Sequence, residues 1–233
     1  MNRVLRFNQT PDRKVYVVSD THWNHNPKWP VPLWKARGYS SVDESNEHQR
    51  TVINSTVRPN DILIHLGDVT LNCNEEQFEK FIASLNCQTI YTLWGNHNSP
   101  SWNIYQREVK QTLQTIISAG GIELADNHLE SVEIYPFQYK NMVFVGNYLE
   151  AIIDGTYFVM AHYPIYVFNH MSKGALHLCG HSHYNLELSQ ADNPTSKILD
   201  VGWDGWAKPL SIDEIKAIMA KKNILAVDHH RED

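Results

Sequence analysis

The stretch KVYVVSDTHWNH (Lys14–His25) opens with a short run of β-branched and aromatic residues, the composition of a buried strand. It breaks off at Asp20-Thr21-His22. In an extended segment alternate residues project to the same side, so Asp20 and His22 can address one site.

The pattern then recurs. Asp61 to Leu66 (DILIHL) is a second apolar run and ends in Gly67-Asp68, and Thr89 to Trp94 (TIYTLW) is a third and ends in Gly95-Asn96-His97. Segments of helical length, Asp43 to Val57 and Glu75 to Leu85, lie between the runs, and Asn72 or Asn74 can cap the second. Strand, helix, strand, helix, strand predicts parallel βαβ units. Ligand groups in such sheets gather beyond the carboxyl ends of the strands, where these polar residues stand.

A further helical stretch, Trp102 to Ala119, is followed by a different spacing. The short apolar runs Ile122–Leu124, Leu129–Tyr135, Met142–Val145, Leu149–Ile153 and Tyr157–Ala161, with connections such as Asp154-Gly155, predict hairpins. Two more runs, Ala175–Leu178 and Ile198–Val201, precede a helix over Ile212 to Lys221, for which Ser211 and Glu214 form a capping box.

The bulk properties narrow the class. A chain of 233 residues suits one well-packed core, so residues 1–233 are expected to form a single domain. With 42% hydrophobic and 20% charged residues the composition is globular, and disorder is expected at the ends alone. No apolar stretch approaches the roughly 18 residues that span a bilayer, and Met1 to Pro11 lacks the apolar core of a signal peptide. Cys73, Cys87 and Cys179 are too scattered for a disulfide framework or a thiolate zinc site, which makes a cytoplasmic protein the expectation. The net charge of −6 argues against a broad basic face for long nucleic acid, and no membrane partner is expected.

Two later elements, Ala161-His162 and Gly180-His181-Ser182-His183, repeat the polar ending. The set then offers two carboxylates, an asparagine amide and five histidines, whereas one catalytic ion wants about three or four protein ligands. Two ions sharing a carboxylate use the excess. Imidazole and oxygen donors without thiolate point to Mn²⁺, Fe, Zn²⁺ or Ni²⁺, with manganese the expected choice, and away from Ca²⁺.

The order D-x-H, G-D, G-N-H, H, G-H-x-H, from Val15 to about Trp206, resembles the calcineurin-like metallophosphoesterase superfamily. The opening Asp20-Thr21-His22-Trp23-Asn24-His25 and the later Asp200-Val201-Gly202-Trp203-Asp204 resemble its small bacterial and phage members, whose first motif carries a third histidine. The resemblance implies an α/β fold, a four-layer α-β-β-α sandwich of two mixed sheets flanked by helices, with a dimetal site at the strand ends. It further implies that Asp20, His22 and His183 bind one ion, that Asn96, His162 and His181 bind the other, and that Asp68 bridges them. His97 matches the non-ligand histidine that contacts the substrate phosphate and assists the leaving group. Many members have an acid after that histidine; Asn98 keeps a hydrogen-bonding side chain there and removes the charge.

The expected reaction is hydrolysis of a phosphodiester, on a small or cyclic nucleotide-like substrate, through a hydroxide bridging two metal ions. Phosphomonoesterase activity is the nearest alternative, and a metal-binding interaction module without turnover is a third. His25 and Asn98 are taken as substrate-side residues. A loop with Trp23, Trp29 and Trp34 interleaved with prolines and with Lys28, Lys35 and Arg37 either stacks a base and holds a second phosphate or packs as a local apolar cluster, the latter being expected. His65 is expected in the core with one bonded nitrogen, His170 and His177 in structural roles, and His229 and His230 in a solvated tail. Asp43 and Asp126 are the acids considered as distant replacements for the one missing beside His97.

Overall fold

The computed structural model describes residues 4–28, 31–119, 132–190 and 196–224. The chain begins with β1 (Leu5–Phe7), β2 (Val15–Val18), α1 (Leu33–Ala36), α2 (Val42–Thr56) and β3 (Ile62–His65). Next come α3 (Glu75–Ser84), β4 (Thr89–Thr92), α4 (Ser101–Ser118), β5 (Phe137–Tyr139) and β6 (Met142–Phe144). The remainder supplies β7 (Tyr148–Ile153), β8 (Thr156–Ala161), β9 (Leu176–Cys179), α5 (Asn185–Gln190) and β10 (Ile198–Asp200). Last are α6 (Trp203–Trp206), β11 (Leu210–Ser211) and α7 (Ile212–Met219).

Local chemistry sets these boundaries. Ser41 caps α2 by accepting from Glu44 N (3.1 Å), while Asn74 with Gln77 and Ser211 with Glu214 form full capping boxes on α3 and α7. In α4 the buried residues Tyr105, Val109 and Leu113 recur every fourth position, so one face packs on Trp94 and Phe144.

Two mixed sheets result. One has the order β11-β2-β3-β4-β6-β5, with β2, β3, β4 and β6 mutually parallel; the other has the order β1-β7-β8-β9-β10. Their inner faces share one apolar core, in which Val17, Ile64 and Leu66 meet Met160, Leu178 and Val201. The helices α2, α3 and α4 cover the outer face of the first sheet, and Phe168, Met171 and Leu186 of α5 pack on the second. The sandwich flanked by helices is therefore the architecture observed.

Two expectations about elements are corrected. Leu5–Phe7, in the end expected to be disordered, pairs parallel with Ala151–Ile153 of β7, because Phe7 gains a buried place in the inter-sheet core. Residues 132–135 are not a strand; the Tyr105 hydroxyl accepts from Ile134 N (2.9 Å) and donates to Ile134 O (3.1 Å), replacing ladder bonds. Ile122–Leu124 and the start of Leu129–Tyr135 lie outside the described residues, as do Trp29, Asp126, His229 and His230. Among the described residues no helix is long and apolar enough to cross a membrane.

The inter-sheet core makes a testable claim. Leu178 is fully buried, and Leu178→Ala is expected to lower stability by about 2–5 kcal/mol in urea unfolding. Leu188→Ala, at a residue 64% exposed, should change it by less than about 0.5 kcal/mol.

Candidate metal centre

The residues that end the strands share an unusual backbone. Asp20, His22, Asp68, His181 and His183 all have positive φ, from 45° to 66°. This left-handed region costs a non-glycine residue of order 1–3 kcal/mol, a cost that Asp and His bear more readily than most. Each such residue ends its strand abruptly and turns a side chain onto the sheet edge.

Main-chain bonds then tie these turns together. Asp20 N donates to Gly67 O (3.2 Å), His22 N to Asp68 O (3.0 Å) and Gly180 N to His162 O (2.9 Å), while Ser19 N crosses between the sheets to Val201 O (3.2 Å). Close approach demands glycine at two points. A Cβ on Gly95 would lie 2.1 Å from Asp68 Oδ1, and one on Gly180 would lie 2.2 Å from Asp20 Oδ2.

Donor atoms converge in two groups, Asp20 with His22 and His183, and Asp20 with Asp68 and His162, each spanning at most 4.8 Å. Asp68 Oδ2 stands between His22 Nε2 (3.4 Å) and His162 Nε2 (3.6 Å). Asp20, His22, Asp68 and His162 are all buried. Asp20 Oδ1 and both nitrogens of His22 have no hydrogen-bond partner among the described residues. A buried polar atom left so costs about 1–3 kcal/mol unless something absent from the chain satisfies it.

His162 makes the same point by a different route. Its Nδ1 lies 3.0 Å from Leu66 O, which can only accept, so Nδ1 carries the hydrogen and a neutral ring presents the Nε2 lone pair. That lone pair faces Asn96 Oδ1 at 2.9 Å, and Asn96 Oδ1 is also 2.9 Å from His181 Nδ1. Acceptors facing one another repel unless a cation or a proton lies between them. The residues present therefore fit a pair of divalent ions in donor type, burial and unmet valence.

Polar groups farther out orient this set. Asp204 Oδ2 accepts from His183 Nδ1 (2.7 Å), and Arg37 donates to both Asp204 oxygens (2.8 and 2.9 Å). Asp200 accepts from Tyr184 N, Gly202 N and the Ser182 hydroxyl, holding the turn that carries His181 and His183. Burial alone would raise the Asp204 carboxyl, but His183 and Arg37 outweigh it and hold it well below the usual range. The hydrogen bond to Asp204 raises His183 in turn, against the effect of its burial. Burial would likewise raise Asp20, yet its histidine neighbours His22 and His162 bring it down to about 2. Asp20 is thus an anion with little solvent.

The remaining site residues divide by what they touch. His97 is exposed at the mouth; its N–H donates to Asp68 Oδ1 (2.8 Å) and its ring lies 5.6 Å from that of His22. Asn98 commits its amide to Gly95, accepting from Gly95 N (2.8 Å) and donating to Gly95 O (2.7 Å). That answers why an asparagine stands there: a carboxylate could accept from Gly95 but not donate to it. His25 accepts from Leu33 N through Nδ1 (2.9 Å), 6.0 Å from the His22 ring, and burial with the nearby His22 lowers its pKa to about 4. Asp43 is an exposed first-turn acid of α2.

Several bland readings describe what is seen. Trp23 stacks on Phe81 (4.8 Å) and Trp34 donates to Asn26, so both pack the loop. His65 is fully buried, bonded through Nε2 to the Thr21 hydroxyl (2.9 Å), and burial drops its pKa to about 3. His177 bonds Val159 O and Ile165 N, His170 rests on Tyr157, and Cys179 is buried. Sequence reasoning gave Arg37 only as part of a basic loop able to hold a phosphate, and gave Asp204 no role at the site; the structure instead ties Arg37 to Asp204 and to the main chain of Asp20 and Thr21. Arg37 sits in no strand-end pattern, and Asp204 carried a resemblance but no geometric signal.

A family model described as calcineurin-like phosphoesterase matches residues 13–185, which contain every candidate ligand. The chain belongs to that family. The chain is 34% identical over 86 residues to an uncharacterised protein of Methanocaldococcus jannaschii, a match covering 37% of the chain and 47% of that relative. The chain thus spans about half the length of the curated relative it matches. In three dimensions the chain is similar to the crystal structure of a protein of unknown function from Aquifex aeolicus. The TM-score is 0.56 at 18% identity, with 88% of this chain and 99% of that one covered, a likeness of fold. Family membership and the two donor groups together mark these residues as a candidate metal site.

Two substitutions test the geometry. Gly180→Ala drives a methyl group into Asp20 and Ser19, and is expected to weaken Mn²⁺ binding at least tenfold by calorimetry while circular dichroism keeps the parent spectrum. Asn98→Asp exchanges the donor facing Gly95 O for an acceptor, and should lower the stability of metal-free protein by about 1–3 kcal/mol in urea.

Proposed function

We propose that this protein hydrolyses a phosphodiester with the help of two divalent transition ions, manganese being the favoured pair. Asp20, His22 and His183 would hold one ion and Asn96, His162 and His181 the other, with Asp68 between them. The observation that carries the reading is the buried, unsatisfied pair Asp20 Oδ1 and His22 Nε2, 3.7 Å apart, with Asp68 Oδ2 3.4 Å from the same His22 nitrogen. When bound, such ions neutralise phosphate charge and lower the pKa of water so that a nucleophile is available near neutral pH.

The chain's own residues do the rest. Asp68 uses Oδ1 to fix the loop bearing His97 and turns Oδ2 toward the candidate ligands, so one carboxylate sets the distance between proton donor and metal centre. His97, exposed above His22, is placed to bond a phosphate oxygen and to hand a proton to the departing alkoxide. Leu66 O and Asp204 keep the hydrogen on Nδ1 of His162 and His183, which leaves each Nε2 free to bind. His25, its Nδ1 engaged by Leu33 N and its ring 6.0 Å from that of His22, would meet substrate through Nε2.

The choice of a diester over a monoester rests on charge. Arg37, the guanidinium that reaches this site, is committed to Asp204 and to main-chain carbonyls, so it does not offset the second negative charge of a monoester. A small or cyclic nucleotide is the substrate class proposed, and the cytoplasm the compartment.

The test is metal-stripped protein resupplied in turn with Mn²⁺, Ni²⁺, Fe²⁺, Zn²⁺ and Mg²⁺ and assayed on bis-p-nitrophenyl phosphate and p-nitrophenyl phosphate. Faster diester turnover with Mn²⁺ is expected; preference for the monoester would replace the diester reading by a phosphatase. Asp68→Ala is expected to lose both ions by elemental analysis together with activity. His97→Ala should keep both ions and lose about 10²- to 10⁴-fold in kcat.

A further inference from the structure

Arg37 belongs to none of the strand-end motifs, yet its side chain is 7% exposed and makes four hydrogen bonds at the metal centre. Nε and one terminal nitrogen grip Asp204 Oδ1 and Oδ2 (2.8 and 2.9 Å). The same terminal nitrogen donates to Asp20 O and the other to Thr21 O, both at 2.9 Å. Asp204 in turn receives His183 Nδ1 at 2.7 Å. One guanidinium thereby joins the turn that presents Asp20 and His22 to the acid that fixes the tautomer of His183. Asp20 and His22 follow β2 of one sheet, whereas His183 follows β9 and Asp204 follows β10 of the other. The other donor group is oriented differently, with His162 held by Leu66 O.

We infer that Arg37 is a positioning residue chiefly for one ion, the one held by Asp20, His22 and His183, and that it acts through Asp204 on His183; Asp20 is shared with the second donor group, whose His162 is held by Leu66 O and not by Asp204. The inference rests on the dinuclear reading above. Its physical basis is the planar fork: four acceptors around one rigid cation fix the relative placement of two chain segments, which a flexible ammonium cannot do. Arg37 follows α1, whose first residue Leu33 donates its N–H to His25 Nδ1, so the same short helix seats the second histidine of the first motif.

The experiment titrates Mn²⁺ into the metal-stripped full chain by calorimetry and records electron paramagnetic resonance at saturation and at intermediate loading. The parent is expected to show two binding events and a spin-coupled pair. In Arg37→Ala one event should weaken by about 10- to 100-fold, with less than threefold change in the other, and an uncoupled six-line Mn²⁺ spectrum should appear at intermediate loading. Arg37→Lys, which keeps the charge without the fork, should recover less than half of that loss on a logarithmic scale. Asp204→Asn, which keeps an acceptor for His183, should weaken the same event.

Two unaltered events in Arg37→Ala would overturn the assignment, as would equal weakening of both events with a lower Tm of the metal-free protein. If Arg37→Ala fails to fold, Arg37→Lys and Asp204→Asn decide by the same criteria. A parent that binds fewer than two ions would instead overturn the dinuclear reading, which separates the two failures.

Discussion

The structure depends on one electrostatic constraint: buried acceptor atoms converge on one sheet edge, and several of them have no hydrogen-bond partner among the described residues. Asp20 and Asp68 are buried beside His22 and His162, and Asn96 adds a carbonyl oxygen to the second histidine. Left alone these atoms repel and lose hydration, each at a cost of order 1–3 kcal/mol. A chain meets such a cost when the cluster has a cationic occupant, and the rest of the fold can be understood as the means of holding the acceptors in place until it arrives.

The holding is done by backbone and by outer polar groups. Left-handed turns at Asp20, His22, Asp68, His181 and His183 break the strands at the edge where the two sheets meet, and the glycines before Asp68, Asn96 and His181 let main chain come close enough for those turns to touch. Farther out, Leu66 O, Asp204 and Asp200 each fix one orientation or one turn. Asn98 belongs with them, since it braces Gly95 and not the imidazole beside it. The loss of an acid at that position is better explained by this brace than by a change in the charge around His97.

The alternation of strand and helix through Thr92, the capped helices and the recurring polar strand ends were all legible in the sequence, because each rests on local spacing. β1 was not, since three residues have no periodicity to recognise and pair with β7 more than 140 positions away, Leu5 with Ala151. Residues 132–135 look like a strand and are instead bonded by the Tyr105 hydroxyl from α4, a partner that no local pattern predicts. Trp23 and Trp34 pack the loop as expected, against Phe81 and Asn26, partners that only the tertiary structure names.

By itself the sequence determined the kind of chemistry: carboxylates, imidazoles and an amide immediately after β-branched runs define a donor set, and donor type is a property of residues. Only the tertiary structure decided which donors meet, which nitrogen each histidine presents, and which outer groups hold them. Asp20 and His183 are 163 residues apart and share one group of atoms, and Arg37 reaches Asp204 across 167. Hydrogen-bond direction and distance depend on where two strands from different sheets end relative to one another, and that relation is set by the packing of the whole inter-sheet core.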